Sequence, residues 1–446
     1  MDTTVLDNLN KLALEYPDLY VVGGAVRDRS LGESMSDLDF ATRNAVQPAR
    51  VFSKILNGAL VALDKTPGRE TFRTIGANGD TFDFSELQGG SIEKDLDCRD
   101  FTFNAMGQRL TDFLAFKQNI LDPHDGISDL NNKIIRALPG PVLENDPLRV
   151  LRAFRFAASL GFKIESTTLT RIEKVAPALS EIAGERIHQE CKLFWQNRNT
   201  ALLTHQMDQV GVWNHIVPHR KDLQKTISAD GKTNLLQQSI FIYSLLENFL
   251  NSPTDFFPKR FIGIESYINK KQAVLLKASA LLYPVHQEDN GETWLENALE
   301  KLKFSKTDSS FIRQVMKSRN LAIKTGLKFA GWSMDFSAIY KFVSENDNNL
   351  ISTLFLIAAS SKTKEVAEGP FTLCIQNLAD FYLNRYRPAK EKPPFINGND
   401  LIEQFNMKPS TLFKFILNHI EEGRILGSIK TKSEAENMVR ALIKNL

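Results

Sequence analysis

The spacing of apolar residues changes period once, near Asp146, and that change limits the fold more than any other feature of the 446-residue chain. Before about residue 140, short apolar runs of strand length alternate with helical stripes. After it, Leu148, Leu151, Ala153, Phe156 and Leu160 recur at helical spacing, and amphipathic segments continue to the C-terminus. The expected class is α+β, with a mixed sheet and its helices first and an all-α remainder. Leu6, Leu9, Leu12 and Ala13 form the first helical stripe, and Leu19 to Val22 a strand that ends at Gly23-Gly24. Further strands are expected around Leu38 and Phe40, at Ala59 to Leu63, at Thr71 to Ile75 and at Thr81 to Phe84, with Gly and Asp marking the turns. Breaks are expected at Pro139 to Pro141, Ser252 to Pro258 and Arg387 to Pro394.

A chain that is 42% hydrophobic and 24% charged is not largely disordered. Its 55 Lys and Arg against 53 Asp and Glu leave a formal charge of +2, so any site for a polyanion must be local. Cys98, Cys191 and Cys374 lie far apart, which excludes a disulfide framework and a zinc knuckle and fits a reducing compartment. The N-terminus has no basic region before its apolar residues, and no apolar run has membrane-spanning length. The expected location is the cytoplasm.

Chemistry concentrates in VVGGAVRDRSLGESMSDLDFAT. A strand feeds Gly23-Gly24, twelve residues intervene, and a second strand presents Asp37 and Asp39. Alternate residues of a strand share a face, and two carboxylates side by side repel unless a divalent cation lies between them; hard oxygen donors suit Mg²⁺. Gly-Gly before a helix lets the backbone approach an anion, and the helix N-terminus offers N–H groups to phosphate. Together the two halves describe a metal–triphosphate site with Asp37 and Asp39 as metal ligands.

LYVVGGAVRD followed by SDLDFAT resembles the class II tRNA nucleotidyltransferase and bacterial poly(A) polymerase family, over about residues 18 to 196 and 393 to 442. The resemblance implies a nucleotidyltransferase head at 1–140, neck helices at 141–200, a helical body at 201–388 and a helical tail at 389–446 that contacts the tRNA elbow. It implies nucleotide contacts from Gly23, Gly24 and Arg27, and contacts to ribose and triphosphate from Arg99, Asp100 and Asn104 within Arg99-Asp-Phe-Thr-Phe-Asn-Ala105. Asp122-Pro-His-Asp-Gly126, with Asp129-Leu130, resembles the family's head-to-neck connector. Asp83 takes the place of a further strand carboxylate, implied to act as general base and metal aid at the primer 3′-hydroxyl.

Asn145-Asp-Pro-Leu-Arg149-Val-Leu-Arg152-Ala-Phe-Arg155 resembles the family's base-choosing motif. On a helix Asp146 and Arg149 share a face, where a carboxylate accepts from an exocyclic amine and a guanidinium donates to the adjacent ring nitrogen. Cytosine and adenine offer that edge; uracil and guanine do not. Arg152 and Arg155 would reach the base or the phosphates. Asp before Pro at the head of a helical stripe also fits an N-cap. The family carries Glu where Asn145 stands, which bears on how Asp146 is oriented. Gly184-Glu-Arg186-Ile resembles a neck motif that braces this helix.

The tail, from Arg385 on, holds 11 Lys or Arg against 7 Asp or Glu, a modest positive face. Leu275 to Pro284 resembles a relic of a phosphohydrolase helix in which Tyr283-Pro284 replace the metal-binding His-Asp pair, so no hydrolase activity is expected. His188, His205, His215 and His219 show no metal spacing and read as packing or surface residues. Between Asp83 and Arg99 lie fifteen residues, shorter than the loop of many CCA-completing relatives, and this short form resembles CC-adding enzymes. The implied activity is addition of C, as CC or within full CCA, to tRNA from CTP and ATP with Mg²⁺, by a monomer or weak dimer without a membrane. Poly(A) polymerase or A addition is the alternative within the family, and a catalytically inactive RNA-binding module the alternative outside it.

Overall fold

The computed structural model describes residues 3–33, 38–218, 234–282, 291–329, 336–361 and 368–444; Asp37, His219, Tyr283 and Pro284 lie outside the described residues. The chain divides into two compact units, Met1–Asn197 with Gln206–Ile216, and Arg198–His205 with Val217–Leu446.

The first unit holds the expected mixed sheet, built from β1 (Tyr20–Val22), β2 (Leu38–Thr42), β3 (Ala59–Asp64), β4 (Thr71–Ile75), β5 (Thr81–Glu86) and β6 (Gly107–Arg109) in the order β3-β4-β5-β2-β1-β6. β2 and β5 run parallel; the other neighbours are antiparallel. One face is fixed by aromatics. Phe40 stacks on Phe84 with centroids 4.8 Å apart, and Phe52, from the helix Val46–Ile55, meets Phe82 and Phe84 at 5.0 and 6.1 Å. Burying each such ring is worth roughly 1.5–3 kcal/mol, and a one-residue slip would turn every ring to water, so the pattern sets the register. On the opposite face Tyr20, Val22 and Ala41 lie under Leu87, Ile92 and Leu96, the last two from the helix Ile92–Asp97. That helix covers part of the face and leaves Asp39 exposed.

Two neck helices, Arg149–Leu160 and Gly184–Trp195, complete the unit's core. Phe156 meets Phe101 and Phe103 edge-on at 5.8 and 5.4 Å, joining the neck to the segment after Arg99. The neck is not entirely helical. Gly161, at φ 69°, ends its helix in the left-handed conformation. The chain then runs extended as β8 (Lys163–Ile164), parallel to β7 (Ile134–Ile135), because Phe162 and Ile164 are buried there.

The second unit is helical among its described residues. Every residue of the helix Leu350–Ser361 is buried, which marks it as a central element. Around Thr200 lies a buried polar network of Glu247, Lys277 and Tyr243. The tail helices Gly398–Glu403, Thr411–Leu426 and Lys432–Lys444 pack around Ile396, Leu401, Ile416, Ile420, Ile429, Ala435 and Val439. Gly427 ends its helix at φ 83°, and a Cβ on Gly423 would fall 2.7 Å from Ile429 Cδ1, so these tail glycines serve packing. The break expected at Arg387 instead begins with a short helix, Arg387–Lys390, whose first turn accommodates Pro388.

Candidate active site

The turn after β1 is the hub. Gly23 adopts φ 68° and ψ −122°, a conformation that essentially only glycine holds without strain, and its N–H donates to the Met106 carbonyl at 3.0 Å. A Cβ there would lie 2.8 Å from Arg99 Nη1. Gly23 thus lets the Arg99 guanidinium lie against the backbone at the start of the helix Gly24–Ser30. Gly23→Ala is expected to lower kcat/KM for nucleotide at least ~10-fold, since backbone strain of about 1–3 kcal/mol adds to displacement of the guanidinium. Steady-state kinetics check this, with Gly32→Ala, a positive-φ glycine with nothing within 4 Å of its Cβ position, as the strain-only control.

Arg99 is held from behind. Its Nε and Nη2 donate to Asp95 Oδ2 at 3.3 and 3.1 Å, while Asp95 Oδ1 accepts from the Gln88 N–H at 3.2 Å. Asp95 is buried, on the helix Ile92–Asp97 within the fifteen-residue interval after Asp83. Sequence reasoning passed over it, although the i, i+4 spacing from Asp95 to Arg99 was a usable signal.

Asp100 lines the same cavity as Arg99 and is held there by internal partners. Only 4% exposed, it accepts from Arg152 Nε at 2.8 Å and Nη2 at 2.7 Å, from Asn104 Nδ2 at 3.1 Å and from the Phe101 N–H at 2.9 Å. Burial penalises its charge, but Arg152 and Asn104 outweigh that penalty and hold the carboxyl below the usual aspartate pKa. Asn104 Oδ1 in turn accepts from Arg27 Nη1 at 2.9 Å, and Arg27 Nε donates to Asp28 at 2.7 Å. A continuous chain, Arg152–Asp100–Asn104–Arg27, therefore ties the neck helix to the helix after the glycines. The guanidinium carbons of Arg27, Arg152 and Arg155 lie 5.4, 5.4 and 4.0 Å from the Phe156 ring centroid, a further aromatic support.

The connector motif also proves structural. Asp122 accepts from the N–H groups of Gly126 and Ile127 at 2.6 and 2.9 Å and caps the helix Gly126–Asn132. Buried Asp129 accepts from Thr102 Oγ1 at 2.7 Å, fixing the turn that carries Asn104.

Asp146 and Arg149 lie on the neck wall, but not as two residues of one helix face. Asp146 is extended, at φ −144° and ψ 93°, and the helix begins at Arg149. Asp146 Oδ1 accepts from the Leu148 N–H at 3.3 Å, a turn contact ahead of the helix, whose N-cap is Leu148, and Arg186 Nη2 donates to both carboxylate oxygens at 3.2 and 3.1 Å. Arg149 Nη1 and Nη2 donate to the carbonyls of Arg99 and Cys98 at 2.7 and 2.8 Å. Burial lowers the Arg149 pKa, partly offset by Asp100 and Asp146. Arg155 turns away: its Nε donates to buried Glu190 at 2.7 Å, bracing the two neck helices together.

On the sheet, Asp39 pairs in register with Asp83, and Asp83 with Arg73, a row across β2, β5 and β4 on one face. Arg73 Nε and Nη2 donate to the two Asp83 oxygens, each at 2.7 Å. A carboxylate gripped bidentately is a poor general base, and in this structure Asp83 is paired with Arg73. Hard oxygen donors of this kind fit a divalent cation; among the described residues, which exclude Asp37, no group of three or more acidic, His or Cys side chains forms a ready-made metal cluster.

Gly23, Gly24, Arg27, Asp39, Arg99, Asn104, Asp146, Arg149, Arg152 and Arg186 all line one cavity of ≈ 450 Å³ within the first unit. Five arginines converge there among four aspartates, Asp39, Asp95, Asp100 and Asp146, so the wall is densely charged with a small positive excess. His188, His205 and His215 are not among its lining residues.

Comparison with known proteins agrees with this geometry. Residues 19–136 match the Poly A polymerase head domain, and residues 161–223 the domain described as "Probable RNA and SrmB- binding site of polymerase A". A CC-adding tRNA nucleotidyltransferase of Synechocystis is 28% identical over 95% of this chain and 93% of its own. One of Geobacter sulfurreducens is 38% identical over 38% of this chain and 39% of its own. The solved Thermotoga maritima CCA-adding enzyme complexed with tRNA shares the fold, with TM-score 0.70 and 23% identity over 99% of this chain and 96% of that one. This chain is thus similar to the two matched domains and, along nearly its whole length, to CC-adding and CCA-adding tRNA nucleotidyltransferases.

Proposed function

We propose that the chain adds C, as a CC dinucleotide, to tRNA 3′ ends without a nucleic-acid template, taking nucleotide from CTP and releasing pyrophosphate. The observation that carries this reading is the single cavity in which an arginine-lined glycine turn, the exposed Asp39 and the Asp146–Arg149 wall converge. Arg99, Arg27 and the N-terminus of the helix Gly24–Ser30 face the triphosphate and keep its α-phosphate before Asp39. Asp146, an acceptor, takes the exocyclic amine that cytosine and adenine present beside an unprotonated ring nitrogen, whereas guanine's amine lies beside an N–H. Arg149, anchored on the Cys98 and Arg99 carbonyls, couples the base wall to the phosphate side, so a base of the wrong shape also disturbs Arg99. Asp39 with Asp37 would hold Mg²⁺, which when bound lowers the pKa of the attacking 3′-hydroxyl and stabilises charge on the leaving pyrophosphate. The tail, with its positive excess, is assigned to the tRNA elbow.

CC rather than CCA addition is favoured by the segment between Asp83 and Arg99. Leu87, Ile92 and Leu96 pack on the sheet face and Asp95 holds Arg99, so the segment is anchored on both sides of its short Gln88–Gly90 turn. Incubation with tRNA ending at the discriminator base, at C or at CC, with each labelled nucleotide in turn, tests the reading. Two C and no A are expected. A following A would make it the full CCA enzyme, A alone or long A tracts the A-adding or poly(A) form, and no incorporation a binding module.

A further inference from the structure

We infer that Arg73 is a positioning residue that holds Asp83 back from the cation beside Asp39 and so keeps the cation affinity of that site low. The inference rests on the reading of Asp39 as a metal ligand. Strand β2, which carries Asp39, lies between β1 and β5. Across β1 the registered partner of Asp39 is the buried, apolar Val22; across β5 it is Asp83. Registered residues of neighbouring strands, about 4.8 Å apart, share a face, so the sheet itself sets the Asp83 carboxylate beside that of Asp39. One strand further, Arg73 stands opposite Asp83 in the antiparallel β4–β5 pair. Its Nε and Nη2 each donate to one Asp83 oxygen at 2.7 Å, the fork that matches a carboxylate best.

Charge decides what that grip does. Without Arg73, the neighbouring carboxylates of Asp39 and Asp83 would repel each other, and a divalent cation between them would relieve the repulsion. With Arg73 in place, Asp83 is already neutralised, and a cation drawn towards it meets a guanidinium bound to the same carboxylate. Asp39 is thereby left with one acidic ligand fewer. Neither Arg73 nor Asp83 is among the residues that line the cavity, so the pair acts on the cation at Asp39 and not on the nucleotide. Fewer acidic ligands mean weaker binding of a divalent ion. The ion then enters with the triphosphate and leaves with pyrophosphate instead of resting on the sheet between turnovers.

Mn²⁺ binding to the full chain, without nucleotide or tRNA, tests this through the electron paramagnetic resonance signal of the free ion, with Asp39→Ala as background. Arg73→Met, which keeps an apolar stem, is expected to bind Mn²⁺ at least ~5-fold more tightly than wild type, because Asp83 joins the ligands. Arg73→Lys, which keeps the charge without the fork, should fall between them. Adding Asp83→Asn to R73M should return the affinity to the wild-type level, since that pair, like Arg73 with Asp83, carries no net charge. The ratio of R73M to wild type should persist from about 0.1 M to about 1 M KCl, because a direct ligand contact is screened little. The fold should tolerate these changes, as the Arg73 side chain is 41% exposed. Equal or weaker binding in R73M overturns the inference, as does a gain that survives Asp83→Asn or fades with salt. Incorporation of CTP by wild type reports separately: its absence, or its persistence in Asp39→Ala, overturns the reading of Asp39 and the inference with it.

Discussion

Asp39→Ala is expected to reduce nucleotide incorporation by at least ~10³ while leaving the melting temperature unchanged, as for removal of a principal electrostatic stabiliser. The size of the loss follows from what the rest of the cavity lacks. Asp83, registered beside Asp39, has both oxygens bound to Arg73, and Asp95, Asp100 and Asp146 each answer an arginine. None of these can take over a metal-holding role without leaving a guanidinium unpaired. The fold is indifferent because Asp39 is exposed while its strand neighbours Leu38 and Phe40 carry the packing, and a surface substitution of this type usually stays within about 0.5 kcal/mol. Single-turnover incorporation of labelled CTP, with circular dichroism melting alongside, checks both halves. Activity within tenfold of wild type would remove Asp39 from the chemistry.

The largest effect on stability is expected from Glu247→Ala. Glu247, 3% exposed, accepts from the N–H groups of Thr200 and Ala201, from Thr200 Oγ1 and from Lys277 Nζ at 2.5 Å, and so caps the helix Ala201–Gln209 from inside the second unit. Removing it leaves a buried ammonium without its counter-charge, which typically costs about 3–5 kcal/mol, and shifts that unit's unfolding midpoint by on the order of 10 °C. Replacing both partners, Glu247→Gln with Lys277→Met, should recover much of the loss, because no charge is then buried and the glutamine oxygen still accepts from the Thr200 and Ala201 N–H groups. Burial already lowers the Lys277 pKa, with Glu247 opposing. Without Glu247 the folded pKa falls further below the unfolded value. The unfolded chain then binds the extra proton over a wider range, so the single variant regains stability as pH rises from that depressed pKa towards 10.5, more steeply than wild type. A variant as stable as wild type, or one that weakens with rising pH across that range, would contradict this account.

The head was largely legible because its signals are local. Strand alternation at Leu38 and Phe40, the double glycine and the Arg99–Asn104 segment each declare their geometry within a few residues. What stayed hidden depends on partners far away in sequence. Asp83 reads as a candidate base until the β4–β5 register sets Arg73 opposite it; counting back across the turn between Ile75 and Thr81 would have paired them. Asp100 reads as a substrate ligand, and its buried partner Arg152, fifty-two residues on, is what local sequence does not announce. Arg155 keeps helical spacing with Arg152 but meets Glu190, which no local pattern announces. Asp146 was expected to share a helix face with Arg149, and the helix starts one turn too late for that. Asp37 lies outside the described residues, so its pairing with Asp39 stands on strand alternation alone.

Pyrophosphate release from CTP, measured with Mg²⁺ and with or without a tRNA that lacks its 3′-terminal nucleotides, tests the central claim most directly. Release that requires both the tRNA and the cation, stops after two nucleotides per tRNA and vanishes in Asp39→Ala is the predicted result. Release that proceeds without tRNA, or persists at wild-type rate in Asp39→Ala, would contradict it.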